Sequence, residues 1–140
     1  MSAEMILLPL FVEVILTFAL LFWLGPLRAR DFRTGLVREE DIGLRQPNWS
    51  KPALQVQYSF SNQFELPVLF YVLTILAYVT HHAGLLFVAL AWVFVIFRLC
   101  QAYVHVTSNK VMLRGAFFGV SALALAIMWI VFIIEILTGI

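Results

Sequence analysis

Charge is what this sequence has little of: Asp, Glu, Lys and Arg make up 12% of its 140 residues. An ordinary soluble domain carries about a quarter. One cysteine, Cys100, excludes an intrachain disulfide and leaves the redox compartment open. The net charge is +1, and the basic residues form no patch larger than one loop, so nucleic acid is not expected as a partner. Nor is there a glycine-rich phosphate cradle, a serine–histidine–aspartate arrangement or a metal-ligand spacing. The adjacent His81 and His82 have no Cys, Asp or Glu beside them and are read as a turn, so no metal is expected.

What is present is hydrocarbon: 63% of the residues are hydrophobic, collected in long runs. A membrane span takes roughly 20 mainly apolar residues, and four such segments fit here with little left for a soluble domain. They are expected at about 5–27, 57–79, 85–103 and 115–137, within a single membrane domain covering 1–140. The first is expected to close at Gly25-Pro26, a helix-ending pair. It is read as a span rather than a signal peptide, because Glu4 and no basic residue precede it and no small-residue cleavage site follows. Within it Glu13 is a lone carboxylate, either protonated or paired with a basic group on another helix, and a structural role suits it better than a catalytic one.

Between the first two spans, residues 28–56 change character. Arg28, Arg30, Arg33, Arg38, Arg45 and Lys51 alternate with Asp31, Glu39, Glu40 and Asp41, and a short helical turn is expected from Glu39 to Leu44. Lysine and arginine mark cytoplasmic loops. This loop and the one containing Lys110 are therefore assigned to the cytoplasm, with both termini outside or lumenal. A short hairpin, Thr80 to Gly84, joins spans two and three.

The second span carries a polar stripe. Asn62 and Glu65 lie three residues apart on one helix face, with Tyr58 a turn below. Ionisable groups at membrane depth cost a few kcal/mol or more, so they usually face a cavity, a ligand or another helix. Pro67 then predicts a kink. Span three ends in a second stripe, Arg98, Gln101 and His105, with Tyr103 at the same end. Arg98 as a snorkelling side chain and Tyr103 as an interfacial aromatic are the ordinary readings of each alone. Span four opens with Arg114, and its Gly115 and Gly119 form a GxxxG pair that permits close helix approach. The stripes share the cytoplasmic depth. Asn62, Glu65, Arg98, Tyr103, His105 and Arg114 are thus expected to gather in one polar pocket, suited to a small zwitterionic or anionic ligand. Ion transport with Glu65, Arg98 and Glu13 as a relay is the physical alternative, against which stands the lack of an internal repeat.

The run Asn62-Gln63-Phe64-Glu65-Leu66-Pro67, with Phe70 following, resembles the second-helix signature of the MAPEG family, the membrane-associated proteins of eicosanoid and glutathione metabolism. Length, four spans, a polar first loop, the end of span three and Arg114 agree with it. The resemblance implies an all-α, integral membrane four-helix bundle assembled as a homotrimer, with glutathione as cosubstrate held between subunits near the cytosolic face. It implies a transferase or peroxidase acting on lipophilic electrophiles. Asn62 and Glu65 then hold glutathione's peptide and amino group, Tyr103 and His105 line the site, Arg98 adds to the ligand-binding set, and Arg114 stabilises the thiolate. Two positions depart from the pattern: Tyr58 and Ser61 stand where family enzymes carry arginines that bind glutathione carboxylates. A non-catalytic lipid- or partner-binding protein of the same fold is the corresponding alternative. The expected location is a bacterial inner membrane, since no eukaryotic retention signal is seen.

Overall fold

The longest helix begins where a polar side chain takes over an unpaired amide. Ser2 accepts from the Met5 N–H at 3.3 Å and starts α1, Ala3–Arg33. In this computed structural model, which describes residues 2–139, α1 is followed by α2 (Glu39–Ile42), α3 (Lys51–Asn62), α4 (Leu66–Val79), α5 (Leu85–Val106) and α6 (Val111–Thr138). There is no strand among the described residues. Four stretches, Ala3–Arg33, Lys51–Val79, Leu85–Val106 and Val111–Thr138, are long and apolar enough to cross a membrane. The chain is an all-α four-helix membrane bundle, with α3 and α4 forming one interrupted span.

The first helix does not stop at Gly25-Pro26 as the sequence suggests. Pro26 removes a single hydrogen bond, the one to the carbonyl of Phe22. The turns beyond it are held by tertiary contacts instead. Leu24 and the half-buried Leu27 pack with Val56 and Phe60, and Arg28 donates to Gln57 Oε1 at 2.5 Å while stacking on Trp49 at 4.7 Å. Arg30 and Arg33 in the last turn complement the helix dipole. The polar loop is consequently shorter than expected, 34–50, and it is anchored from below. Asp31, 2% exposed, accepts from the Ser50 N–H at 3.0 Å, and Ser50 in turn caps α3 through Ala53 N–H at 3.4 Å.

The expected kink in the second span is a full break, and it lies before Pro67 rather than at it. Pro67 can offer no N–H to the Gln63 carbonyl, and it biases Leu66 away from the helical region. The chain crosses 63–65 on tight i→i+3 bonds: Gln63 N to Phe60 O at 3.0 Å, Phe64 N to Ser61 O at 3.1 Å and Glu65 N to Asn62 O at 3.3 Å. It restarts with Pro67 in the first turn of α4, where a missing N–H costs nothing.

The main core lies at the end of the bundle away from the polar loop. Phe70, Leu73 and Ala77 of α4 meet Ala91, Phe94 and Val95 of α5 and Leu125 and Met128 of α6, with the Phe70 and Phe94 rings stacked at 4.7 Å. α5 and α6 form the most extensive helix pair. Outward faces stay apolar: Ile15, Phe22 and Leu85 are among the exposed side chains. A surface of that kind suits hydrocarbon rather than water. The glycine pair behaves differently from expectation. A Cβ built on Gly115 or Gly119 would meet nothing within 4 Å, so neither mediates close packing inside the chain.

Candidate functional site

The break in the second span leaves helix-terminal backbone groups inside a bundle, where they need partners. Arg98 supplies one. Its Nη2 reaches across from α5 and donates to the Asn62 carbonyl at 2.8 Å, while Nη1 donates to Gln101 Oε1 at 2.8 Å. Only 1% of Arg98 is exposed. It is a buried support for the broken helix and does not snorkel to the surface.

Above this support opens a groove of about 520 Å³, walled by the end of α3, the break, the last turns of α5 and the first turns of α6. Tyr58, Ser61, Asn62, Glu65, Gln101, His105, Arg114 and Gly115 line it, with Val111 and Phe118 as apolar wall. Its volume falls in the range of small-molecule sites. Glu65 is exposed, Asn62 and Arg114 are half-buried, and His105 is buried, its Nδ1 without a hydrogen-bond partner among the described residues. Arg114 is held by Asn109, whose Oδ1 accepts from Nη1 at 2.7 Å. Asn109 adopts a left-handed backbone (φ 53°), a conformation asparagine tolerates better than most residues. One cation and one carboxylate thus share a groove with an amide and an imidazole. Such a set can bind an ammonium, a carboxylate or a peptide, and can stabilise a thiolate.

Four of the six candidate residues come together here: Asn62, Glu65, His105 and Arg114. Arg98 belongs to the layer beneath them. Tyr103 does not join: it is 70% exposed and lies with Leu99, Cys100, Val104, Leu113 and Phe117 in an apolar cleft of about 380 Å³. Helical geometry explains the separation, since residues 98, 101 and 105 follow one face and residue 103 points away from it. Gln101 is the residue the candidate set lacked, although the same spacing marks it. It lines the groove and accepts from Arg98. Tyr58 and Ser61 do face the groove, so the missing arginines leave Arg114 as the one cation on its wall.

Four membrane-length helical stretches define an integral, multi-pass membrane protein, and a polar groove opens at one end of the bundle. The chain matches the MAPEG family over residues 6–134 and belongs to that family. No curated protein and no solved structure matches it. Family members are membrane proteins with transferase-type functions related to glutathione and eicosanoids; they generally use glutathione, commonly form trimers and bind lipophilic substrates.

Proposed function

We propose that the protein is a glutathione-dependent membrane transferase or peroxidase acting on lipophilic electrophiles. The observation that carries this reading is the groove itself: in a chain of this family, Asn62, Glu65, His105 and Arg114 converge on one cavity of about 520 Å³. Glu65 is the partner for glutathione's ammonium group, and Asn62 for its peptide. His105 belongs to the same lining. Arg114, steadied by Asn109, is the cation that keeps the sulfur ionised. The thiolate then attacks the electrophile, and the surrounding lipid delivers the apolar cosubstrate. The site works in a homotrimer, with the loops at 34–50 and 107–110 on the cytoplasmic side of a bacterial inner membrane and both termini across it, an orientation favoured by their basic residues.

Calorimetry on the purified protein in detergent, followed by conjugation of a generic electrophile, tests the proposal. Glutathione binding in the millimolar range or tighter, with turnover lost in Arg114→Ala, is the expected result. No binding at millimolar glutathione would refute it.

One observation supports a second reading. Tyr58 and Ser61 provide no cation for a glutathione carboxylate on this wall of the groove. A non-catalytic lipid- or partner-binding protein of the same fold then accounts for the groove, and it predicts that Arg114→Ala leaves function unchanged. A small transporter lacks such support; uptake into liposomes abolished by Glu65→Gln is what it requires.

A further inference from the structure

The end of α3 borders a second cavity that the groove chemistry does not use. It encloses about 410 Å³ between α1, α3 and the segment 34–50, and Ser61 alone lines both spaces. Arg28 and Arg45 line it, and no Asp or Glu is among the described residues on its wall. Arg28 is held by neutral partners: its Nη2 donates to Gln57 Oε1, and its guanidinium stacks on Trp49 at 4.7 Å. Its Nε is buried without a hydrogen-bond partner among the described residues, and neither arginine forms an ion pair there. Asp31, one turn further along α1, accepts from the Ser50 N–H and does not line the cavity. Arg45 sits at φ 64°, a left-handed conformation unfavourable for a long side chain, and strain of this kind clusters at ligand sites.

The rest of the wall is largely hydrocarbon. Leu24 and Phe60 back the cavity, and the exposed Leu21 continues it onto the outer face of α1. Phe18 follows on that face one turn further from the loop and is also exposed. Arg28 stands where the apolar run of α1 gives way to charge, which is headgroup depth in a bilayer. Cations at that depth with exposed hydrocarbon beside them match an anionic lipid, since basic pockets between membrane helices hold phosphate headgroups. The groove has Glu65 as well as Arg114 and suits a zwitterion; this cavity has cations alone and suits a net anion. We propose that it binds an anionic phospholipid, with Arg28 and Arg45 on the phosphate and an acyl chain along Leu21 and Phe18. A free phosphate ion offers the same oxygens without the chain, so the two are separated by experiment.

The test uses the full-length protein in detergent, titrated with dioleoylphosphatidylglycerol or dioleoylphosphatidylcholine and read by native mass spectrometry. The anionic lipid is expected to bind at least about tenfold more tightly than the zwitterionic one, the scale of a charge-assisted hydrogen bond. Arg28→Gln is expected to remove that preference. Arg45→Gly suits the left-handed backbone and leaves the Arg28 contacts in place; it is expected to weaken phosphatidylglycerol binding about fivefold. Should Arg28→Gln not fold, Arg45→Gly carries the test alone. Equal binding of the two lipids, or unchanged phosphatidylglycerol affinity in Arg45→Gly, would overturn the proposal. So would displacement of the lipid by millimolar inorganic phosphate, which makes the occupant a free anion, or by millimolar glutathione, which makes the cavity part of the groove. Retention of phosphatidylglycerol by a protein that binds no glutathione removes the glutathione reading and leaves the lipid site standing.

Discussion

Removing the guanidinium of Arg114 offers the sharpest test of the chemistry. In the groove this residue is half-buried, and one of its nitrogens is already committed to Asn109 Oδ1 at 2.7 Å. That bond fixes the head of the side chain and leaves its other donors for a ligand. A free thiol has a pKa of about 8.5, so roughly 3% is ionised at pH 7. An adjacent cation that brings the bound thiol to about 7 raises that fraction to about one half. Arg114→Ala is therefore expected to lower kcat/KM for a generic electrophile at pH 7 by about 15-fold, or about 1.6 kcal/mol. The sign of the pH dependence follows. The thiolate is lost as pH falls through the bound thiol's pKa, so the acid limb of the rate profile moves upward in the variant by about 1.5 units. Above pH 9 the two proteins converge. Stopped-flow or plate-reader conjugation between pH 6 and pH 9.5 reads the shift directly. An acid limb that stays in place while the rate falls would show that Arg114 positions substrate and does not stabilise the thiolate.

Other perturbations probe separate layers. Glu65→Gln keeps the shape of the groove and removes its carboxylate, so glutathione affinity by calorimetry is expected to weaken by about tenfold or more, the scale of a charge-assisted hydrogen bond; equal affinity would remove Glu65 from the site. Asn109→Gly frees Arg114 while keeping the left-handed backbone, and is expected to give a smaller loss than Arg114→Ala with little change in Tm. Asp31→Ala deprives the part-buried Ser50 N–H of its acceptor at 3.0 Å, which costs about 1 kcal/mol; faster proteolysis within 34–50 is the readout, with unchanged cleavage the contrary result. Phe70→Ala empties a fully buried, ring-stacked position and is expected to cost about 3–5 kcal/mol in a denaturation assay, leaving the groove lining intact.

Four spans were legible because hydrocarbon runs of membrane length have few other uses, and the polar stripes stood out because charge at that depth needs a reason. Arg98, Gln101 and His105 follow the helical repeat of α5, so the sequence placed them on a shared face. Asn62 and Glu65, expected on one helix face, instead reach the same groove across the break at 63–65. Local signals misled where a tertiary contact outweighs them. Gly25-Pro26 reads as a stop, yet the packing of Leu24 against Val56 and the grip of Arg28 on Gln57 carry α1 to Arg33. Tyr103 shared a depth with the site but not a face.

By itself, then, the sequence determined the membrane class, the number of spans and the basic loops, since these depend on composition and on hydrophobic runs, and its Asn62–Pro67 run carried the resemblance to the family. Only the tertiary structure decided that the second span breaks at 63–65 and that Arg98 lies under the groove. It alone separated Tyr103 from Asn62, Glu65, His105 and Arg114. The reason is physical: which carbonyl a buried guanidinium reaches depends on how α1, α4 and α5 pack around it, and no single helix carries that information.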